Sequence, residues 1–224
     1  MNSSAKSNQI IAIDGPAGAG KSSVSKALAA KLNYSYVDTG AMYRAITLKA
    51  LRQKVPLDNE ETIVDLAKNS TVKLAGDYDN LTVLLDGEDV SKDIRTGEVT
   101  NNTYAIARVA ALREILVDWQ RAMGDESDIV IEGRDAGTVI FPKATFKFYL
   151  DADVQERMNR RLRELEGKGE AVDPVKLLAD MKMRDHRDST REASPLKKAD
   201  DAIVLDSTGM SVDDCVVALI ELMK

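Results

Sequence analysis

The sequence predicts an α/β fold built on a five-stranded parallel sheet. Three observations carry this expectation. Short, apolar, β-branched runs alternate with segments of helical spacing, the pattern of strands joined by crossover helices. The first run leads directly into Gly15-Pro16-Ala17-Gly18-Ala19-Gly20-Lys21-Ser22, a G-x-x-x-x-G-K-S loop whose chemistry requires a strand before it and a helix after it. The length, 224 residues, is ample for a buried core and fits one domain with elaborations or two small ones.

The elements follow in order. Gln9 to Ile13 is short, β-branched and ended by Asp14-Gly15-Pro16, so it reads as a buried strand. Ser22 to Leu32 places Val24, Leu28 and Leu32 four apart on one helical face. Tyr34 to Asp38 is a second strand and Gly40 to Gln53 a second helix. A shorter helix from Asn59 to Asn69 follows, with Asp58 as its candidate N-cap. Thr71 to Leu74 and Leu81 to Leu85 are strand-like, with Gly76 to Asn80 between them and Asp86-Gly87 after, which is hairpin or meander chemistry. Helical patterning then runs from Thr96 to Met123, with Leu112, Leu116, Trp119 and Met123 as core positions. Asp128 to Glu132, Phe146 to Leu150 and Ala202 to Leu205 complete the core strands. Two charged helices, Asp153 to Glu166 and Pro174 to Ser189, separate the last two strands; Asp173-Pro174 supplies an N-cap and a proline at N1. Ser211 and Asp214 form a capping-box pattern at the start of the last helix, Ser211 to Met223, whose apolar face carries Val212, Cys215, Val216 and Leu219.

Composition removes several classes. With 31 basic and 37 acidic residues the net charge is −6, which argues against a nucleic-acid coat or a binder of anionic membranes. One cysteine, Cys215, excludes an internal disulfide, and with one histidine, His186, it excludes a zinc-finger site. The polar start from Met1 to Gln9 has no apolar signal region, and no run is long enough to span a membrane, so a soluble, cytoplasmic protein is expected.

The glycine-rich loop carries the first chemical statement. Its glycines let backbone N–H groups wrap a phosphate; Lys21 reaches the β- and γ-phosphates, Ser22 ligates Mg²⁺, and Ser23 follows on the helix. That points to a nucleoside triphosphate without naming the acceptor. A GTPase would carry N-K-x-D, which is absent, and a motor or transporter ATPase would need a larger chain. A small phosphotransferase remains, its acceptor site near the C-terminal ends of the core strands. Three clusters fall there: Asp38-Thr39-Gly40-Ala41-Met42-Tyr43-Arg44, Glu132-Gly133-Arg134-Asp135-Ala136-Gly137-Thr138, and Arg184-Asp185-His186-Arg187-Asp188-Ser189-Thr190-Arg191. The alternatives are a small kinase for another acceptor, such as shikimate, and a nucleotide-binding switch or scaffold without transfer. A shikimate-type site would carry a second acid close after Asp38, where Thr39-Gly40 stands.

These clusters, with Gly87-Glu88-Asp89-Val90 and Ile94-Arg95-Thr96, resemble the bacterial cytidylate kinases of the nucleoside monophosphate kinase group, over nearly the whole chain. The resemblance implies a P-loop kinase core from residues 9–38, 128–155 and 200–224. It implies a monophosphate-binding lobe over 39–127, with an antiparallel β insert at about 71–95, and a helical lid over 156–192. The reaction implied is ATP plus CMP or dCMP to ADP plus CDP or dCDP, with Mg²⁺, in a monomer. Gly15 to Ser23 then bind ATP. Arg44 and Arg134 hold the acceptor phosphate; Thr39, Arg113 and Asp135 read cytosine; Arg184 and Asp188 hold the ribose; Arg191 is a further acceptor-site residue. Lys21, Arg134, Arg184 and Arg191 carry the charge stabilisation. Glu132 stands where related sequences commonly have Asp, and Tyr104, beside Thr103, stands where the family often places a small hydroxyl residue at the nucleoside.

Some of these residues have plainer readings. Arg44 alone would be a solvated helix residue, but its place past a strand end, paired with Arg134, suits a phosphate dianion. Arg184, Arg187 and Arg191 at i, i+3 and i+7 make one basic face, which could equally be laced to Asp185 and Asp188 by surface ion pairs. Arg157, Arg160, Arg161 and Arg163 could simply pair with Glu156, Glu164 and Glu166. Asp14 could orient the loop or a metal-bound water, or hold a turn. Asp206-Ser207-Thr208 reads as a plain strand-to-helix turn, and His186 as exposed.

Overall fold

Burial on both faces turns the apolar runs into a parallel sheet. The computed structural model describes residues 8–76 and 80–224; the polar start from Met1 and the centre of the expected Gly76–Asn80 turn lie outside the described residues. Strand β1 (Ile10–Asp14) is buried throughout and sits in the middle. The sheet order is β2-β6-β1-β7-β8, from β2 (Ser35–Asp38), β6 (Ile129–Gly133), β7 (Phe146–Asp151) and β8 (Ile203–Asp206). Every pair is parallel, with Ile11 opposite both Val130 and Phe146. The chain leaves β1 through helix α1 (Lys21–Leu32) to one side of the sheet and later returns to the other. The crevice at such a switch point is where open α/β sheets bind ligands. The fifth strand differs from the core strand expected: β8 is a sheet edge, with Ile203 and Val204 38% and 52% exposed.

Helix α2 (Thr39–Arg52) starts directly at the end of β2, where Asp38 caps it by accepting from the Ala41 N–H at 2.8 Å. Helix α3 (Glu60–Lys68) is capped by Asn59, which accepts from Thr62 N–H at 3.1 Å, and not by Asp58. Strands β3 (Val72–Ala75), β4 (Thr82–Leu85) and β5 (Glu88–Asp89) form a separate antiparallel sheet. Asp86 and Gly87 turn β4 into β5 with φ of 51° and 90°, the pair of positive φ values that a tight two-residue hairpin requires. The expected Thr96–Met123 run is two helices, α4 (Gly97–Ala107) and α5 (Ala110–Glu126). The break at Val109 is silent in the pattern because Ile106, Val109, Leu112 and Leu116 all remain buried at helix-like spacing.

Helices α6 (Val154–Gly167) and α7 (Pro174–Thr190) form a charged pair, and α8 (Val212–Leu222) closes the chain with the Ser211–Asp214 capping box in place. Cys215, Val216 and Leu219 of α8 pack with Leu28 and Phe148 on one face of the sheet, whereas Val212 is exposed, contrary to expectation. Val117, Ile131 and Ile140 fill the other face. Met42, Ile46, Ile63, Leu112 and Leu116 tie α2, α3 and α5 to the small sheet, with Trp119 and Met123 packed against them. Among the described residues no helix is long and apolar enough to cross a membrane.

Candidate active site

The phosphate loop lies between β1 and α1 with the geometry its glycines suggest. A Cβ on Gly15 would sit 2.0 Å from the Leu150 carbonyl oxygen, so only glycine passes there. Gly20 takes φ 90° as the N-cap of α1, a conformation that side chains rarely adopt. Lys21 is buried, and its Nζ donates to the Pro16 carbonyl at 2.7 Å, curling the side chain back under the loop. Burial first, then the positive charge of Arg134, push its amine down to about 7. Ser22 and Ser23 are exposed on the first turn of α1.

Behind the loop, the Tyr36 hydroxyl donates to Glu132. Ser22 interacts with both side chains, and burial together with the nearby Asp38 charge raises the Glu132 carboxyl above its ordinary range. No cluster of three or more metal-ligating His, Cys, Asp or Glu side chains exists among the described residues. One hydroxyl beside one carboxylate suits Mg²⁺, a hard cation that keeps several waters and borrows most of its ligands from nucleotide phosphates. Asp14 proves to hold a turn. Its oxygens accept from the N–H groups of Ala136 and Gly137 at 2.8 Å each, fixing the π-turn Ala136–Ile140 after β6. Burial pushes its carboxyl up to about 6 against the pull of those two bonds.

Three arginine–carboxylate groupings gather at the ends of β2 and β6. Arg44 on α2 meets Asp38 at 3.1 Å, and Arg95, arriving from the short 3₁₀ turn Asp93–Arg95 after the small sheet, meets the same carboxylate at 2.8 Å. Burial alone would raise Asp38; the two guanidinium groups hold it below the usual carboxylate range. Arg134 donates through Nε to Asp188 at 2.9 Å, joining the end of β6 to α7. Arg184 stands exposed one turn earlier on α7, where crowding by the crevice walls and then the Arg134 charge push it down to about 10.

The third grouping is the most enclosed. Arg113 of α5 and Asp135 meet at 2.5 Å with side chains 4% and 5% exposed. Arg191 approaches the other Asp135 oxygen at 3.8 Å, and the Arg113 guanidinium lies 5.0 Å from the Tyr43 ring centre. The Tyr43 hydroxyl, Arg113 Nε and Arg191 Nη2 have no hydrogen-bond partner, so this recess offers unspent polar groups. Buried polar groups left unpaired are costly, and a ligand that pairs them gains accordingly.

Three predicted residues stand differently from the rest. The Thr39 hydroxyl donates to the Glu132 carbonyl at 2.7 Å, so toward a ligand it can only accept. Tyr104 is half-buried with Arg187 stacked 5.3 Å over its ring, and the adjacent Thr103 hydroxyl bonds back to Val99 at 2.7 Å. Arg191 lies just past the end of α7 as its C-cap, turned inward, and not on the helical face with Arg184 and Arg187.

The charged helix α6 divides. Arg160, Arg161 and Arg163 pair with Glu156 or Glu164 as the plainer reading had it. Arg157 does not; it is buried and meets Asp185 at 2.5 Å. Arg160 also donates to Ser207, whose hydroxyl, 1% exposed, reaches the Ala19 and Asp151 carbonyls at 3.2 and 2.9 Å. Ser207 is therefore a buried tie between the loop and the sheet, more than a plain turn. His186 is exposed. Asp38, Arg95, Tyr43, Arg157 and Asp185 went unassigned in the sequence. Asp38, Tyr43, Arg95 and Asp185 were at least inside motif segments; nothing in local spacing signals Arg157.

A phosphate loop at the switch point of the parallel sheet β2-β6-β1-β7-β8, with arginine–carboxylate pairs at the ends of β2 and β6, defines a small P-loop phosphotransferase. The family model for cytidylate kinase matches residues 11–224. A cytidylate kinase of Desulforamulus reducens is 49% identical over 95% of this chain and 96% of its own. Another, of Clostridioides difficile, is 42% identical over 93% and 95%. The chain belongs to the cytidylate kinase family, and so to the nucleoside monophosphate kinases. An uncharacterised protein of Eubacterium ventriosum, 18% identical, superposes with a TM-score of 0.53 over 96% of this chain and 98% of its own, a likeness of fold alone.

Proposed function

We propose that the chain transfers the γ-phosphoryl group of ATP directly to CMP or dCMP, giving ADP and CDP or dCDP. The observation that carries this is the set of guanidinium groups at Arg44, Arg134, Arg184 and Arg191 beside the phosphate loop, of which Arg134 and Arg184 lie near enough to Lys21 to push its amine down. A planar guanidinium grips phosphate bidentately, and more than one matches a dianion. Residues 9–38, 128–155 and 200–224 act as the core, 39–127 as the monophosphate-binding lobe with its insert, and 156–192 as the lid. Gly15 to Ser23 bind ATP.

The acceptor needs no general base, because a phosphate whose second pKa is about 6 is already largely a dianion at neutral pH. Positioning and charge stabilisation do the work of in-line transfer. Lys21, Arg134, Arg184 and Arg191 spread the developing negative charge. Ser22, with Glu132 behind it, would hold Mg²⁺, which would supply positive charge to the nucleotide phosphates. Thr39, Tyr104, Arg113 and Asp135 face the nucleoside, Arg184 and Asp188 its ribose. On this reading the enzyme is a cytoplasmic monomer acting on ATP and on CMP or dCMP.

An ADP-release assay across CMP, dCMP, UMP and AMP tests the reading. Turnover should be highest with the cytidine nucleotides, and no acceptor-dependent release would leave a switch or scaffold instead. Arg44 and Arg134 are spent on Asp38 and Asp188 until a dianion arrives. Arg44→Ala and Arg134→Ala should each cost CMP kcat/KM at least about tenfold with little change in ATP affinity. Their effects should not add, since they share one ligand group. Loss of ATP affinity with intact CMP kinetics would mean the two sides of the crevice are reversed.

A further inference from the structure

Helices α6 and α7 grip the phosphate loop at one residue, Ala17, through both of its backbone polar groups. Asp185 Oδ1 accepts from the Ala17 N–H at 3.2 Å, while Arg157 Nη1 donates to the Ala17 carbonyl at 2.9 Å. The two side chains also close on each other, Nη1 to Oδ2, at 2.5 Å. Arg157 is anchored from below, its Nε donating to the Ala152 carbonyl at 3.0 Å. Beside this contact the helices lie so close that a Cβ on Gly18 would sit 2.9 Å from Met181 Cε and 3.0 Å from the Arg157 carbonyl oxygen. The same stripe of α7, Met181, Arg184, Asp185 and Asp188, continues across the crevice to Arg134, which bonds Asp188 at 2.9 Å. One helix thus touches the loop through Asp185 and the end of β6 through Asp188.

We propose that Asp185 and Arg157 are positioning residues, a clamp on the backbone of Ala17 that fixes the distance between the phosphate loop and the residues α7 presents to the acceptor. This rests on the phosphotransfer reading above. The clamp is charge-assisted at every bond and largely dry, conditions in which such hydrogen bonds are strong and short. Neither side chain touches a reacting atom. Their effect falls on geometry, and small misplacement of reacting groups is expensive. With the clamp released, α7 no longer holds the acceptor in line or shuts out water. Water then attacks the γ-phosphorus: its oxygen bonds to phosphorus, the bond to ADP breaks, and the protons pass to solvent, leaving ADP and inorganic phosphate.

The test compares wild type, Asp185→Asn and Asp185→Ala in single-turnover CDP formation, in KM for CMP and in the ratio of ADP to CDP formed. Asp185→Asn keeps shape and an acceptor for Ala17 and loses the charge toward Arg157, so it carries the test if Asp185→Ala does not fold. The single-turnover rate should fall roughly ten- to a hundredfold while KM for CMP moves less than about threefold. The ADP:CDP ratio should rise above the wild-type value, which a merely structural ion pair would not alter in a folded variant. Arg157→Lys keeps the charge and loses the fork; combined with Asp185→Asn it should be no worse than the poorer single variant. An unchanged rate and ratio in folded Asp185→Asn, or fully additive losses in the double variant, would overturn the clamp. Failure of the wild type itself to form CDP would instead overturn the function on which it rests.

Discussion

Lys21→Ala should lower phosphoryl transfer by at least about a hundredfold, or roughly 2.7 kcal/mol of transition-state stabilisation, and leave the fold intact. The fold should survive because Lys21 contributes little to it. Its single hydrogen bond goes to the Pro16 carbonyl within the same loop, and burial disfavours its charged form. A charge held at such a cost in the free protein is consistent with a group waiting for phosphate. The ligand side of the balance gives a second readout. The free amine titrates near 7, so at pH 8 it is mostly neutral and at pH 6 mostly charged. Binding a triphosphate favours the ammonium form, so ATP binding at pH 8 should draw in protons. Calorimetry in buffers of different ionisation enthalpy measures that uptake, which should vanish in Lys21→Ala and shrink toward pH 6. Near-normal turnover in the folded variant would end the phosphotransferase reading.

The loop was legible in the sequence because its constraints are local. Gly15 and Gly20 answer to backbone geometry, and Lys21 and Ser22 to their offset from the last glycine. The alternation of strands and helices was legible for the same reason. What was not legible depends on long-range closure. Arg95 reaches Asp38 across 57 positions, and Arg157 reaches the Ala17 carbonyl across 140. No spacing rule sees such pairs. The split between α4 and α5 escaped because burial continued through Val109 in register. The edge position of β8 escaped because a β-branched run reads alike on an edge and in the middle of a sheet. Asp185 reads as one acid among several on a charged helix, and only its contacts with the Ala17 N–H and with Arg157 distinguish it from Asp180.

Asp135→Asn should change both stability and base choice, and the two effects separate cleanly. Asp135 is the counterion of Arg113, and both side chains are at most 5% exposed. Breaking a buried pair from one side costs about 3–5 kcal/mol. The Asn carbonyl recovers part of this by accepting from Arg113, so a fall in Tm of several degrees is expected. Base choice follows from where hydrogens sit. Cytosine presents carbonyl and ring-nitrogen acceptors beside an exocyclic amino donor, and uracil replaces that amino group with a carbonyl. Arg113 and Arg191 hold unspent N–H groups, Arg113 Nε and Arg191 Nη2, while Thr39, its proton given to Glu132, can only accept. Asp135 keeps the oxygen not used by Arg113, and that oxygen can accept from the amino group of cytosine but only repel the carbonyl of uracil. A site built to hydrogen-bond a group rejects strongly the analogue that lacks it. Asn adds a donor at the same place, so the kcat/KM ratio of CMP over UMP should fall by at least about tenfold. Because both substrates are measured on the same folded variant, the loss of stability cancels from that ratio. A variant of lowered Tm with an unchanged ratio would leave Asp135 as the counterion of Arg113 alone, and a wild type preferring UMP or AMP would reverse the assignment of the recess.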